Sequence, residues 1–212
     1  MRITVFGATG GIGGHAVQQA LDAGHKVTAV VRDLAQFDLS HPALDVMRVP
    51  GLNDPVILRS VLETSDAVLS GVGPRGPKDG PVASTATHGI LRAMEATRVR
   101  RFVAVSAVPV GPVPEGESFL NRRIVLPLIS TMLRNLYADL AAMEDEIRRS
   151  DTDWTIVRPP KLVNKPLTGT YRSSIGANVP RGYAISRANV AHAMLSAFAN
   201  PRTIRQAVGV AD

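Results

Sequence analysis

Residues 1–33 read MRITVFGATGGIGGHAVQQALDAGHKVTAVVRD, and the architecture of the whole chain can be worked out from them. Arg2 to Phe6 is a short apolar run, with Ile3 and Val5 suited to a buried parallel strand. GATGGIGG is a glycine-rich turn, HAVQQALDAG has helical spacing, and HKVTAVVRD is a second apolar run. The unit is therefore strand, tight turn, helix, strand. Gly7 permits the sharp turn because glycine tolerates positive φ. Gly10 leaves the backbone open to close approach, and Gly13 lets the helix pack against the strand. Ile12, Ala16, Val17, Ala20 and Leu21 share one helical face, and Gly24 is the expected stop. The helix start offers free N–H groups and a partial positive charge. A GxxGxxG pattern in this setting places a dinucleotide pyrophosphate on Gly7, Thr9, Gly10, Gly11, Ile12 and Gly13.

Arg32 closes the second strand, at the place where dinucleotide sites distinguish their ribose. An acid there binds a 2′-hydroxyl, whereas an arginine suits a 2′-phosphate through its bidentate fork. The expected cofactor is NADPH rather than NADH. Asp33, the next residue, argues in the opposite direction.

Composition agrees with one globular unit. The chain has 212 residues and is 45% hydrophobic, enough for a single core. It has no cysteine, which excludes disulfides, a thiolate nucleophile and a cysteine-ligated metal. It opens directly in a strand, so no signal peptide is expected. No uncharged apolar run reaches about 18 residues, so no membrane span is expected either. The expected location is the cytoplasm. The formal charge is +6, and arginine outnumbers lysine 20 to 4. The arginines are scattered, with groups at 98–101, 122–123 and 148–149, and aromatics make up only 4%. Nucleic acid is therefore not the expected partner; a small anionic cofactor and a small-molecule substrate are.

The rest of the chain alternates strand and helix. Strands are expected at 45–49, 66–70, 101–106 and 154–157, with small ones near Tyr171, at 183–185 and at the end. Helices are expected at 54–63, 81–97 and 186–199, with Asp54 or Asn53 as the cap of the first and Pro55 in its first turn. Residues 117–150 read as mostly helical, interrupted near Pro127. Asp139, Glu144, Asp145 and Glu146 read as the polar face of that helix. The class is α/β, a doubly wound parallel sheet with helices on both faces. In such sheets ligands lie beyond the carboxyl ends of the strands. That rule collects Gly7–Gly13, Arg32, Gly71–Arg75 (Gly71, Val72 and Gly73 above all), Ser106–Pro109 and Pro159–Leu162.

GATGGIG, VAVSA at 103–107, DWTIVRPPKLVNKPLTGTY at 153–171 and ISRANVAHAML at 185–195 together resemble the atypical short-chain dehydrogenases. Within that group the pattern is similar to the biliverdin reductase B and NADPH-dependent flavin reductase type, over nearly the whole chain. The resemblance implies a single-domain Rossmann fold with a small C-terminal substrate-side extension. It implies NADPH, and hydride delivery to flavins or linear tetrapyrroles. By it, Gly7, Gly10, Gly13 and Arg32 hold phosphates, Ser106 stands beside the nicotinamide, and Pro159 and Pro160 line the cofactor's far end; the strand-end rule separately puts Pro160–Leu162 around the nicotinamide. Lys161 stands where the flavin-reductase type has histidine, and is the second catalytic candidate as a positive charge near the substrate. The Tyr-x-x-x-Lys pair of the broader family is absent, because Tyr137 is followed at that spacing by Ala141. The competing reading is a regulatory protein that binds NADP(H) without turnover.

Overall fold

The computed structural model describes residues 1–74, 79–114, 116–119, 123 and 133–212. In chain order it forms β1 (Arg2–Phe6), α1 (Gly11–Asp22), β2 (Lys26–Val31), β3 (Leu44–Arg48), α2 (Pro55–Leu62) and β4 (Ala67–Ser70). There follow α3 (Val82–Thr97), β5 (Arg101–Val105), α4 (Arg134–Arg149), β6 (Asp153–Arg158), β7 (Lys161–Val163) and β8 (Arg172–Ile175). The chain then runs through β9 (Ala184–Ser186), α5 (Arg187–Phe198) and β10 (Gln206–Ala211).

The main sheet has the order β3-β2-β1-β4-β5-β6-β10-β8. The strands from β3 to β10 are parallel, and β8 runs antiparallel to them at the edge. β7 and β9 form a separate parallel pair, the C-terminal addition expected from the sequence. The strand order reverses direction at β1, where the chain leaves β1 to one side for β2 and to the other for β4. This is the switch point at which open α/β sheets bind ligands.

Alternation along the strands gives each face its own apolar layer. Ile3 and Val5 of β1 pack with Ala16, Val17 and Ala20 of α1 and with Met194 of α5. Phe6 faces the other way, against Leu58 of α2, Ile90 of α3 and Met143 of α4. The two central strands β1 and β4 are buried almost end to end, as parallel strands covered on both faces must be.

Local signals set the helix ends. Asp54 caps α2, its side chain accepting from the N–H of Val56, and Pro55 opens the helix. Gly24 follows α1 at φ +77°. The sequence expectation of a mostly helical 117–150 resolves into α4 over its last part. Residues 120–122 and 124–132 of that expectation, Pro127 included, lie outside the described residues.

One expectation about α4 is overturned. Asp139 and Glu144 are not on a solvated face; they are 6% and 0% exposed. Asp139 accepts from the N–H groups of Ala83 (2.8 Å) and Ser84 (2.9 Å), which makes it the cap of α3 supplied from another helix. Glu144 accepts from Arg158 Nε at 2.9 Å, from Arg158 Nη2, and from Arg148 Nη2 at 2.8 Å. Helical spacing shows which residues share a face. It does not show that a buried arginine, 14 residues on in the next strand, waits to pair with one of them. Among the described residues no helix is long and apolar enough to cross a membrane.

Candidate dinucleotide-binding site

A cleft of about 710 Å³ opens at the carboxyl ends of β1, β2, β4 and β5. Gly7, Thr9, Gly10, Gly11, Ile12, Arg32, Gly71, Val72, Gly73, Ser106 and Leu162 line it, all expected from the sequence.

The glycine turn is closed on itself before any ligand arrives. Gly10 N–H donates to Gly7 O at 2.9 Å, and Gly71 N–H donates to Phe6 O at 3.0 Å. Gly7 sits at φ +77°, and a methyl on it would lie 2.8 Å from the Gly71 carbonyl carbon. A methyl on Gly13 would lie 2.1 Å from Gly7 O, so α1 reaches the turn only because Gly13 has no side chain. Gly13 itself does not line the cleft; it works from behind.

α1, α2 and α3 differ in what meets their first N–H groups. α1 begins at Gly10 with no side-chain cap and no acid in its first turn. α2 and α3, which also begin at the rim of the cleft, are stopped by Asp54 and Asp139. The partial positive charge of α1 is left for a ligand, while those of α2 and α3 are already answered by carboxylates.

Arg32 stands at the end of β2 over a small recess shared with Thr9, Asp33 and Gln36. The Asp33 carboxylate is engaged locally, accepting from Ala35 N–H and from Gln36 Nε2, both at 3.1 Å. The acid that argued against a 2′-phosphate is thus the cap of a short 3-10 turn at Leu34–Gln36. Arg48 lies alongside, its Nε donating to Arg32 O at 3.3 Å.

Ser106 follows β5 directly. It is 7% exposed, and its Oγ has no hydrogen-bond partner among the described residues. A buried hydroxyl without a partner in a cleft wall is a donor and acceptor kept for something else. Together with the glycine cradle and the uncapped α1, it fits a nicotinamide dinucleotide. Gly7, Gly10, Gly11 and Ile12 would hold its pyrophosphate.

Other expected site residues fall elsewhere. Lys161 is exposed on β7 and does not line the cleft. Pro159 is buried and Pro160 half-buried, and neither forms its surface; Pro159 O instead receives the N–H of Val108 at 3.0 Å. Arg75 lies outside the described residues. Tyr137 packs half-buried against the core, outside the cleft, and burial holds its phenol above the ordinary value. The sequence reading missed Leu136 and Leu140 of α4, Leu52 and Asn53 before α2, and Arg187 at the start of α5. Their only sequence signal was position. Each stands at the carboxyl side of the sheet once the topology is known.

Residues 7–201 match the family model described as NAD(P)H-binding. A chloroplastic protein of Arabidopsis thaliana is 32% identical over 79% of this chain, and the chain spans 61% of that protein's length. A short-chain dehydrogenase/reductase from Veillonella parvula, solved with NADP, superposes with TM-score 0.81 at 19% identity, covering 100% of this chain and 94% of its own. A provisionally named NADH-flavin reductase from Streptococcus pneumoniae superposes with TM-score 0.80 at 22% identity, covering 100% and 99%. With the family model matched from residue 7 to residue 201, this chain belongs to the NAD(P)H-binding family, on a Rossmann fold.

Proposed function

We propose that the chain is an NADPH-dependent reductase that delivers hydride to a flavin or a related flat, conjugated acceptor. The observation that carries this reading is the contrast inside one cleft. Its glycine turn and the start of α1 suit an anion. The lining supplied by the end of β5, by α4 and by β7 is apolar (Val105, Ala107, Leu136, Leu140, Leu162), with Ser106 as its one polar side chain among the described residues.

When bound, NADPH supplies the hydride. The chain's part is then to place and shield it. Ser106 Oγ is positioned to hydrogen-bond the nicotinamide amide or the substrate. The leucines of α4 and β7 keep water from the reacting faces. Tyr137 and Lys161 lie outside the cleft, so neither stands ready to protonate a product. This favours an acceptor that takes its remaining proton from solvent, as a flavin does.

Three further points support the reading. Arg32 faces a recess of about 220 Å³ while Asp33 is engaged elsewhere, which suits the 2′-phosphate of NADPH. The RPP-x-L and PLTG-x-Y segments resemble the biliverdin reductase B and flavin reductase type. The Streptococcus pneumoniae relative carries a flavin reductase name.

The test is NADPH oxidation at 340 nm with FMN, FAD, riboflavin or biliverdin, each against an enzyme-free control. Saturable turnover with a flavin is expected. Ser106→Ala should lower kcat by about tenfold, the effect of one lost hydrogen bond. Lys161→Ala should leave it unchanged. Tight NADPH binding without turnover on any acceptor would overturn the reductase and leave a regulatory NADP(H)-binding protein.

A further inference from the structure

The glycine turn itself carries no cation. From Gly7 to Gly14 it reads GATGGIGG, and α1 has no basic residue in its first turn. A helix start offers roughly half an elementary charge, against the two negative charges of a pyrophosphate. Among the described residues lining the cleft, the cations are Arg32 and Arg187. Arg32 stands at the end of β2, over its own recess.

Arg187 lies on the turn. A methyl on Gly11 would meet Arg187 Cδ at 2.6 Å and Nε at 3.0 Å. Gly11 is not at positive φ, so its backbone does not demand glycine; what a methyl there would meet is the arginine side chain, which would have to move aside. Arg187 Nη1 donates to Asn164 Oδ1 at 2.7 Å, the one hydrogen bond the guanidinium makes among the described residues. No carboxylate among those residues lies within ion-pair distance of it. Its remaining donors are thus directed by neither an acid nor a carbonyl. The contrast is with Arg101, which spends its guanidinium on Asp153 O, Thr155 Oγ1 and Ala197 O.

We propose that Arg187 is the cofactor-gripping residue of the glycine turn, its guanidinium laid across Gly11 and steadied by Asn164 so as to pair with the dinucleotide pyrophosphate. This rests on the reading that the cleft binds NADPH. It adds that a residue from the far end of the chain, on α5, supplies the charge that the turn lacks. A guanidinium fork matches two phosphate oxygens at once.

The experiment is calorimetric titration of NADPH into the full chain, with the melting temperature of each ligand-free variant as a second readout. Arg187→Ala should raise the Kd by about tenfold or more, the cost of one charged hydrogen-bonding group, with the ligand-free melting temperature unchanged. Arg187→Lys, which keeps the charge, should recover part of the affinity. Gly11→Ala pushes the arginine off the turn. It should weaken binding in the parent chain and add little in the Arg187→Ala background. An Arg187→Ala Kd within about threefold of the parent would overturn the proposal. So would simple additivity with Gly11→Ala. A lysine variant as weak as the alanine one, with both melting lower, would mark a structural strut and overturn it equally. Failure of the parent chain to bind NADPH or NADH would overturn the cofactor reading itself, a result distinct from all of these.

Discussion

At one end of the cleft the surface is backbone: Gly7, Gly10 and Gly11 show an anion little but peptide groups, and Gly13 lets α1 close behind them. At the other end it is side chain: Ser106, Leu136, Leu140 and Leu162 present a hydroxyl and an apolar wall. The two ends are also held differently. The glycine end is fixed by close approach of main chain to main chain. The Ser106 end leans on a buried ion pair, Arg158 with Glu144, which ties β6 to α4 one turn beyond Leu140. The same Arg158 packs so near Gly111 that a methyl there would meet its Nη1, which draws the segment after Ser106 into the assembly. The backbone end has no room for a methyl at Gly7 or Gly13, whereas the side-chain end depends on the partners behind it.

Four predictions would break or sharpen that comparison. The largest effect is expected behind the side-chain end. Glu144→Ala leaves Arg158, 3% exposed, with an uncompensated buried charge, and should cost about 3–5 kcal/mol in chemical denaturation. A cost under about 1 kcal/mol would mean that the end stands without its ion pair. Next comes the backbone end. Gly13→Ala forces a methyl against Gly7 O and should cost about 1–3 kcal/mol and abolish NADPH binding. Gly73→Ala, with open space around its would-be methyl, should change stability by less than about 0.5 kcal/mol. Equal effects at 13 and 73 would remove the case for close approach. Third, Arg32→Ala should weaken NADPH by about tenfold or more and NADH by far less; equal weakening would show that the recess beside Thr9 does not read a 2′-phosphate.

The smallest effect concerns alkali. Burial raises the phenols of Tyr137 and Tyr171 above the ordinary value near 10. A raised folded value means that the native state holds its protons more tightly than the unfolded chain. The stability this brings is complete below about pH 10 and is lost as pH rises through the folded values. Absorbance titration of tyrosinate should show late ionisation, which Tyr137→Phe reduces. Ionisation of Tyr137 at the pH of free tyrosine would mean that the α4 wall is open to water.

The backbone end was largely legible in the sequence, because a glycine turn between an apolar strand and a helix leaves the chain little choice of geometry. Spacing alone assigns Gly7 and Gly13 their packing roles, and both roles hold. The parallel sheet, the cap at Asp54 and the position of Ser106 at a strand end were equally readable. The side-chain end was not. Leucine at 136 and 140 has the spacing of any buried helical stripe, and only the docking of α4 makes it a cleft wall. Asp139 and Glu144 read as solvated because their partners, the start of α3 and Arg158, are remote in sequence. Lys161 reads as catalytic by position in a motif, but β7 pairs with β9 and leaves its side chain exposed. Pairings across such distances leave no periodic mark.

The contact between Gly11 and Arg187 has one more consequence, for the order of synthesis. The two residues lie near opposite ends of the chain, and Gln19 Nε2 also donates to Ala188 O at 3.0 Å, so α1 and α5 meet at both places. Contacts of such long sequence separation form late, because the intervening loop must close first. A nascent chain that has emerged only as far as α4 already owns its glycine turn, yet lacks the arginine that completes it. If Arg187 grips the cofactor as proposed, full nucleotide affinity arrives only once α5 has docked on α1.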